Sequence, residues 1–374
     1  MIKVLYNALH LTGQFSGVQN TVEQLMKEAF MNPDSDIDFE AICPANYQIN
    51  LKEYPFQKLT RINIDTSNRW QRIGYEHFFM NRYFRKHEEN ILHCPAYIQP
   101  WKWGAPSIIT VHDIIALNSP EYCSPSNRLY FNLLLPRSIL KASKIITMSH
   151  TVKEDILRKI KIKPEKIKVI YPGINDIFFR IPSGKNLANV KRKYLLPEKF
   201  ILYVGNIEPK KNILRLIEAF ENLIRRSDIP HSLVIAGKFA WKCKDVLQKI
   251  SKNPNTRILF TGYIEQSDLP ALYTLADLFV FPSLYEGFGI PPLEAMACGT
   301  PVIVSNAGAL PETTMGNALI TDPLSVDSVA SAMLNLIENT TLRNQLIEKG
   351  KHHVQQFKWD RAWSETANFY KLLV

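Results

Sequence analysis

Phe281-Pro-Ser-Leu-Tyr-Glu286-Gly287-Phe288-Gly289-Ile290-Pro291-Pro292-Leu293-Glu294-Ala-Met-Ala-Cys298-Gly299-Thr-Pro301 is the most informative stretch of the chain. It opens on the apolar run Leu278 to Phe281, which reads as a buried strand. Pro291 and Pro292 suit the first turn of a short helix, where amides go unpaired anyway, and Gly299 suits its stop. Gly287 and Gly289 free the loop between strand and helix. Backbone N–H groups of Phe288, Gly289 and Ile290 can then face an anion, and Glu294 offers two acceptor oxygens matching the vicinal hydroxyls of a ribose. Glu286, at the start of the loop, can reach a sugar bound on the far side of that phosphate. Two glutamates beside a helix N-terminus can also be plain dipole partners, but that reading leaves the glycines between them unexplained.

The same succession recurs along the chain. Strand candidates are Lys3 to Tyr6, Phe39 to Cys43, Ile91 to His93, Ser107 to Val111, Lys144 to Met148, Ile167 to Ile170, Ile201 to Val204, Leu233 to Ala236, Ile258 to Thr261, Leu278 to Phe281 and Val302 to Val304. Strands alternating with longer helical segments argue for parallel sheets, and this number suits two sheets rather than one. The turn-rich segment from Tyr171 to Gly184 falls near the midpoint and reads as a linker. The expectation is an α/β protein of two Rossmann-like, doubly wound parallel-sheet domains facing each other across a cleft, residues 1–172 and 173–357. Thr151-Val-Lys-Glu154 reads as a capping box opening a helix to about Lys161. In such sheets ligands bind beyond the carboxyl ends of the strands.

Three further loops lie at such ends. Gly13 and Gly17 follow the first strand and allow close approach of backbone to a phosphate or sugar, or simply make a turn. His112 and Asp113 end the strand Ser107 to Val111. A histidine there can act on a substrate or be a hydrogen-bonded structural residue, and Asp113 can equally cap the next helix. Val204-Gly-Asn206-Ile-Glu-Pro-Lys210-Lys211-Asn212 precedes the helix Ile213 to Arg226. Its lysines suit a diphosphate leaving group, or are solvated turn residues.

Composition narrows the class. At 374 residues, 46% hydrophobic and 21% charged, the chain fills two or three domains of roughly 150 residues. No run approaches the ~18 apolar residues of a membrane span. The start, Met1 to Tyr6, lacks the features of a signal peptide and reads as the first buried strand. Five scattered cysteines without a Cys-x-x-Cys pair argue against a disulfide framework and a zinc site, and point to a cytoplasmic protein without a structural metal. His352-His353 is an adjacent pair whose rings point to different faces of a helix. The net charge of +10 is uneven: Arg137 to Lys168 holds ten Lys/Arg against Glu154, Asp155 and Glu165. From Arg69 to Lys86, basic residues interleave with Trp70, Tyr75, Phe78, Phe79, Tyr83 and Phe84. This is either an ordinary amphipathic helix or a surface attracted to anionic lipid. Nucleic acid is not expected, as no nucleic-acid-binding signature accompanies the charge.

Glu286 and Glu294, with seven residues between them, the following Pro301-Val and the turn Ala307-Gly308-Ala309 together resemble the retaining glycosyltransferases of family 4, which have the GT-B architecture. The resemblance runs over nearly the whole length. It implies that Glu294 holds the nucleotide ribose and Glu286 the donor sugar, that Gly13 and Gly17 lie against the donor diphosphate, that His112 faces the donor sugar and that Lys211 binds phosphate. Gly262-Tyr263-Ile264 resembles the segment beside the base. Phe357-Lys-Trp359-Asp360 resembles the start of a last helix, about 358–374, that completes the N-terminal domain. Many members carry Arg where this chain has Asn206, counted here with the donor-binding residues. Glu208-Pro-Lys-Lys-Asn212 resembles Glu-Pro-Arg-Lys-Asn, common among mannosyltransferases of bacterial polysaccharide assembly, so Lys210 keeps the charge of the usual Arg without its fork.

The implied activity is transfer of a sugar, mannose from GDP-mannose being the first expectation, from a nucleotide diphospho-sugar to a hydroxyl of a glycan or lipid-linked oligosaccharide, with retention and without a metal or other cofactor. The implied setting is peripheral, on the cytoplasmic face of the membrane. Two rivals remain at the level of sequence: a non-catalytic nucleotide-sugar binding protein, and a glycoside hydrolase using Glu286 and Glu294 as its carboxylate pair.

Overall fold

The computed structural model describes residues 1–12, 16–47, 58–66, 68–80, 91–252 and 257–373. The chain divides into two units, Met1–Gly173 with Phe357–Val374, and Ile174–Gln356. Gly13 and the basic-aromatic residues from Arg82 to Lys86 lie outside the described residues.

The first unit is built on the strands β1 (Ile2–Asn7), β2 (Ile37–Pro44), β3 (Leu59–Ile62), β4 (Ile91–Cys94), β5 (Ser107–Val111), β6 (Lys144–Thr147) and β7 (Ile167–Val169), in the order β3-β2-β1-β4-β5-β6-β7. The second is built on β8 (Phe200–Val204), β9 (Ser232–Ala236), β10 (Ile258–Gly262), β11 (Leu278–Phe281), β12 (Val302–Ser305) and β13 (Leu319–Thr321), in the order β10-β9-β8-β11-β12-β13. Neighbouring strands pair in parallel throughout, as in Val4 opposite Phe39 and Leu278 opposite Ile201. The inner strands are buried on both faces, which is why they read as unbroken apolar runs. β3 and β13 are not among the sequence candidates. Both are short edge strands, and the partly exposed Leu-Thr-Arg-Ile and Leu-Ile-Thr carry no such run.

In each sheet the order reverses once, between β1 and β4 and between β8 and β11. At such a reversal the connections leave in opposite directions and open a crevice at the strands' carboxyl ends. The helix Trp359–Lys371 belongs to the first unit. Trp363 Nε1 donates to the Asn32 carbonyl at 2.7 Å, and Tyr370 OH lies 2.6 Å from His93 Nδ1. One helix start differs from expectation. The helix His150–Lys159 is capped by Ser149, whose side chain accepts from the amide of Val152, so the cap lies two residues before Thr151. Ser149 leaves β6 with extended backbone, which is the geometry a cap requires.

Candidate active site

The carboxyl ends of β8 and β11 meet at the reversal of the second sheet, and two loops leave it there. The loop after β8 tightens into a single turn at Pro209–Lys211 and passes through Asn212 into the helix Ile213–Arg226. Asn212 sits in the left-handed region at φ 61°, tolerable for asparagine. Its buried Nδ2 donates to the carbonyls of Pro282 (3.1 Å) and Pro323 (2.7 Å), and its Oδ1 accepts from Arg215. One side chain thus ties the β8 loop to the β11 loop. The Leu284 amide donates to the Lys210 carbonyl at 2.7 Å and adds a backbone tie.

This clamp brings Lys211 to Glu286. Lys211 Nζ donates to Glu286 Oε1 at 2.5 Å and lies 4.8 Å from the centroid of the Phe281 ring. Glu286 is only 8% exposed. Burial pushes its carboxyl up, but the charges of Lys211 and Lys210 outweigh that, so it is held below the usual carboxylate range. Lys210 Nζ stands 3.8 Å from Glu208 Oε1. Asn206 is exposed on the same loop. The backbone at Glu286 is held from behind by Gly308: a Cβ there would lie 2.5 Å from the Glu286 carbonyl oxygen, and φ is 57°. Only glycine fits both conditions.

Beyond the loop, Gly289 at φ 99° starts the helix Ile290–Ala297. Pro291 and Pro292 lack amide hydrogens, so any anion-facing backbone donors at this helix start are those of Phe288, Gly289 and Ile290. Phe288, whose amide stands just ahead of Gly289, has a buried side chain, and its carbonyl accepts from Thr313 Oγ1. Glu294 is also 8% exposed, and its Oε2 accepts from the buried Tyr273 hydroxyl at 2.9 Å. Burial pushes its carboxyl up to about 7, with the Tyr273 bond pulling slightly the other way. At the end of β10, Tyr263 is half exposed with Lys238 Nζ 4.5 Å over its ring.

Gly17 and His112 belong to the first unit. Gly17 opens the helix Gly17–Met31, which Ser16 caps through the Gln19 amide. His112 is buried at the end of β5, and its Nε2 donates to the Pro95 carbonyl at 2.8 Å. That carbonyl fixes the tautomer, and burial holds the ring below the ordinary histidine range, the Pro95 bond and Asp113 opposing it. Asp113 takes the structural role: Oδ1 accepts from the Ile115 amide and Oδ2 from the Tyr97 hydroxyl. Tyr273 and Thr313 carry no sequence signal of their own, and the Glu208-Pro-Lys-Lys-Asn212 segment does not announce the clamp that Asn212 makes. Only the asparagine just ahead of a helix, where a left-handed residue is needed, hints at its position.

Two doubly wound sheets, with a lysine–glutamate pair and a proline-started helix at the reversal of one of them, define a doubly wound α/β protein with its candidate site at a topological switch point. Residues 188–353 match the model for glycosyl transferases group 1, and residues 15–177 match that for Glycosyltransferase Family 4. The O-antigen chain mannosyltransferase B of Escherichia coli is 31% identical over 291 residues, 77% of this chain and 76% of that protein. The serotype-specific mannosyltransferase WbdA of the same species is 26% identical over 98% of this chain, which spans 44% of WbdA. The solved structure of Anabaena HepE in complex with UDP-glucose superposes with a TM-score of 0.75 at 19% identity, covering both chains fully. The chain belongs to the family 4, group 1, glycosyltransferases, and its fold is GT-B. The glycosidase reading of the two glutamates therefore falls.

Proposed function

We propose that this chain is a retaining, metal-independent mannosyltransferase that moves mannose from a nucleotide diphospho-sugar, GDP-mannose first among them, to a hydroxyl of a glycan or lipid-linked oligosaccharide. The observation that carries it is the buried Lys211–Glu286 pair at the end of β8 and β11. In this reading Lys211, with Lys210 and the Phe288, Gly289 and Ile290 amides, takes up charge developing on the departing diphosphate, which is where fixed positive groups accelerate such a step most. Glu286 binds the donor sugar. Glu294 receives the ribose hydroxyls, while Asn206, Gly13 and Gly17 line the diphosphate and Tyr263 the base. The acceptor oxygen attacks the anomeric carbon on the face from which the phosphate leaves. The C–O bond to phosphate breaks with its electron pair going to the phosphate, and that oxygen takes the acceptor proton. His112, held neutral, lies against the donor sugar. Support for mannose comes from the names of the two E. coli relatives.

Melting in EDTA with millimolar GDP, UDP, ADP or TDP tests the donor half, because a ligand of the folded state raises the melting temperature. A rise with GDP is expected. No rise with any of them, with or without magnesium, overturns the nucleotide-sugar assignment, and binding without transfer to any acceptor would leave a non-catalytic binding protein.

A peripheral, cytoplasmic-face setting is part of the same proposal. Among the described residues no helix is long and apolar enough to cross a membrane. Trp70, Phe78, Phe79 and Trp101 are exposed, and the helix Pro125–Lys141 turns Leu129, Leu133 and Leu140 outward beside Arg128, Arg137 and Lys141. Apolar side chains set among cations suit an anionic bilayer surface. Sedimentation with anionic vesicles at low salt, reversed at high salt, is expected, and absence of binding at low salt counts against it.

A further inference from the structure

The reversal between β1 and β4 carries a cavity of about 330 Å³. Its lining includes the rings of Tyr97, Tyr130 and Phe131 and the polar side chains of His10, Thr66 and Arg72. The rings meet edge to face, Tyr97 and Phe131 at 5.1 Å, Tyr130 and Phe131 at 5.3 Å. Tyr97 is held at φ 71°, a conformation costly for an aromatic residue, by its amide bond to Thr110 and its hydroxyl bond to Asp113. Thr66 is 1% exposed, and among the described residues its hydroxyl has no hydrogen-bond partner. Arg72 Nε likewise has none, and faces Glu76 Oε2 at 4.0 Å. Glu76 is buried; its Oε1 accepts from Asn7 Nδ2 at 3.1 Å and stands 3.7 Å from His10 Nδ1.

Aromatic rings in one cavity with hydroxyl and guanidinium donors have the chemistry of a pyranose site: C–H faces against rings, hydroxyls against polar atoms. Arginine alone in such a place would call for an anion. Here the counter-charge is already built in, because Glu76 sits against it in surroundings where a second anion would meet uncompensated repulsion. We propose that this cavity binds the terminal sugar of the acceptor as an uncharged pyranose, and that Glu76, by neutralising Arg72, is the residue that excludes phosphorylated sugars. This rests on the reading of the chain as a transferase of a sugar to a glycan hydroxyl.

The test is ligand-observed NMR titration with methyl α-mannoside and with mannose 6-phosphate, at about pH 8 to keep Glu76 ionised and with GDP saturating the donor site. The wild type is expected to bind the neutral glycoside and to bind the phosphate ester at least ~10-fold more weakly, the effect of one unfavourable charge contact. Glu76→Gln keeps the shape and the Asn7 bond; it should leave the neutral glycoside unchanged and gain ~10-fold for the ester, a gain that adding Arg72→Gln abolishes. Thr66→Val, a milder change, should weaken the neutral glycoside several-fold. Failure of methyl α-mannoside to bind at roughly 50 mM, or binding indifferent to Thr66→Val and Arg72→Gln, overturns the proposal. So does a Glu76→Gln variant that melts normally yet gains nothing for the ester. A GDP-induced rise in melting temperature that persists in those cases confines the failure to this cavity, and its loss in the wild type would instead sink the donor reading.

Discussion

Glu286 and Glu294 lie on one strand–loop–helix segment and are equally buried, yet their surroundings push them in opposite directions. Glu286 meets two lysines delivered by the neighbouring β8 loop and stays ionised. Glu294 meets apolar side chains and one tyrosine hydroxyl, and titrates near neutrality, at about 7. Burial is the first cause at both positions. The difference lies in whether another part of the chain supplies a counter-charge. The loop carboxylate thus has its counter-charge before any ligand arrives, whereas the helix carboxyl has one tyrosine donor and titrates near neutrality.

The largest effect should come from breaking the satisfied half. Lys211→Ala removes the charge stabiliser and leaves Glu286 buried without its closest cation, so turnover should fall on the order of 10²-fold or more. Stability should drop by about 3 kcal/mol in a denaturant melt. Near-normal turnover would detach Lys211 from the chemistry.

Glu294→Gln should act in the reverse sense on stability. The Glu294 carboxyl ionises near 4.5 unfolded and at about 7 folded, so between those values the native state holds more protons and stability falls as pH rises. Above that window the variant should be more stable than the wild type, by on the order of 3 kcal/mol, and below it the advantage should vanish. The same change should weaken GDP binding, and wild-type affinity should itself decline as pH falls through about 7, since only the carboxylate accepts both ribose hydroxyls. Unchanged affinity in Glu294→Ala would remove the ribose role.

Gly308→Ala forces a Cβ against the Glu286 backbone and should cost about 2 kcal/mol, shifting Glu286 and raising the donor KM. The smallest effect is expected for Tyr273→Phe, about 1 kcal/mol, together with a move of the Glu294 midpoint above about 7 that a pH series of GDP binding would reveal. A midpoint that stays put would mean that the tyrosine does not tune the carboxyl.

Parallel strands buried on both faces announce themselves as apolar runs, which is why the inner strands of both sheets were legible; of the partly exposed edge strands, β7 and β10 still carry enough apolar residues to be read, whereas the short Leu-Thr-Arg-Ile of β3 and Leu-Ile-Thr of β13 do not. Prolines and glycines around Ile290–Ala297 were equally legible, because they specify backbone conformation locally. The partners of the site were not. Asn212 reaches Pro323, and Tyr273 reaches Glu294 from another helix; such bonds join segments whose spacing in sequence says nothing of their spacing in the fold.

What the sequence determined alone is the alternation of strand and helix, the glycine–proline grammar of the β11 loop and the presence of two glutamates and two lysines able to meet a phosphorylated sugar. What only the tertiary structure decided is which glutamate is paired with lysine, which is left to titrate, and that Arg72 is balanced by Glu76. Backbone conformation follows from neighbours along the chain, but the charge state of a buried group follows from neighbours in space.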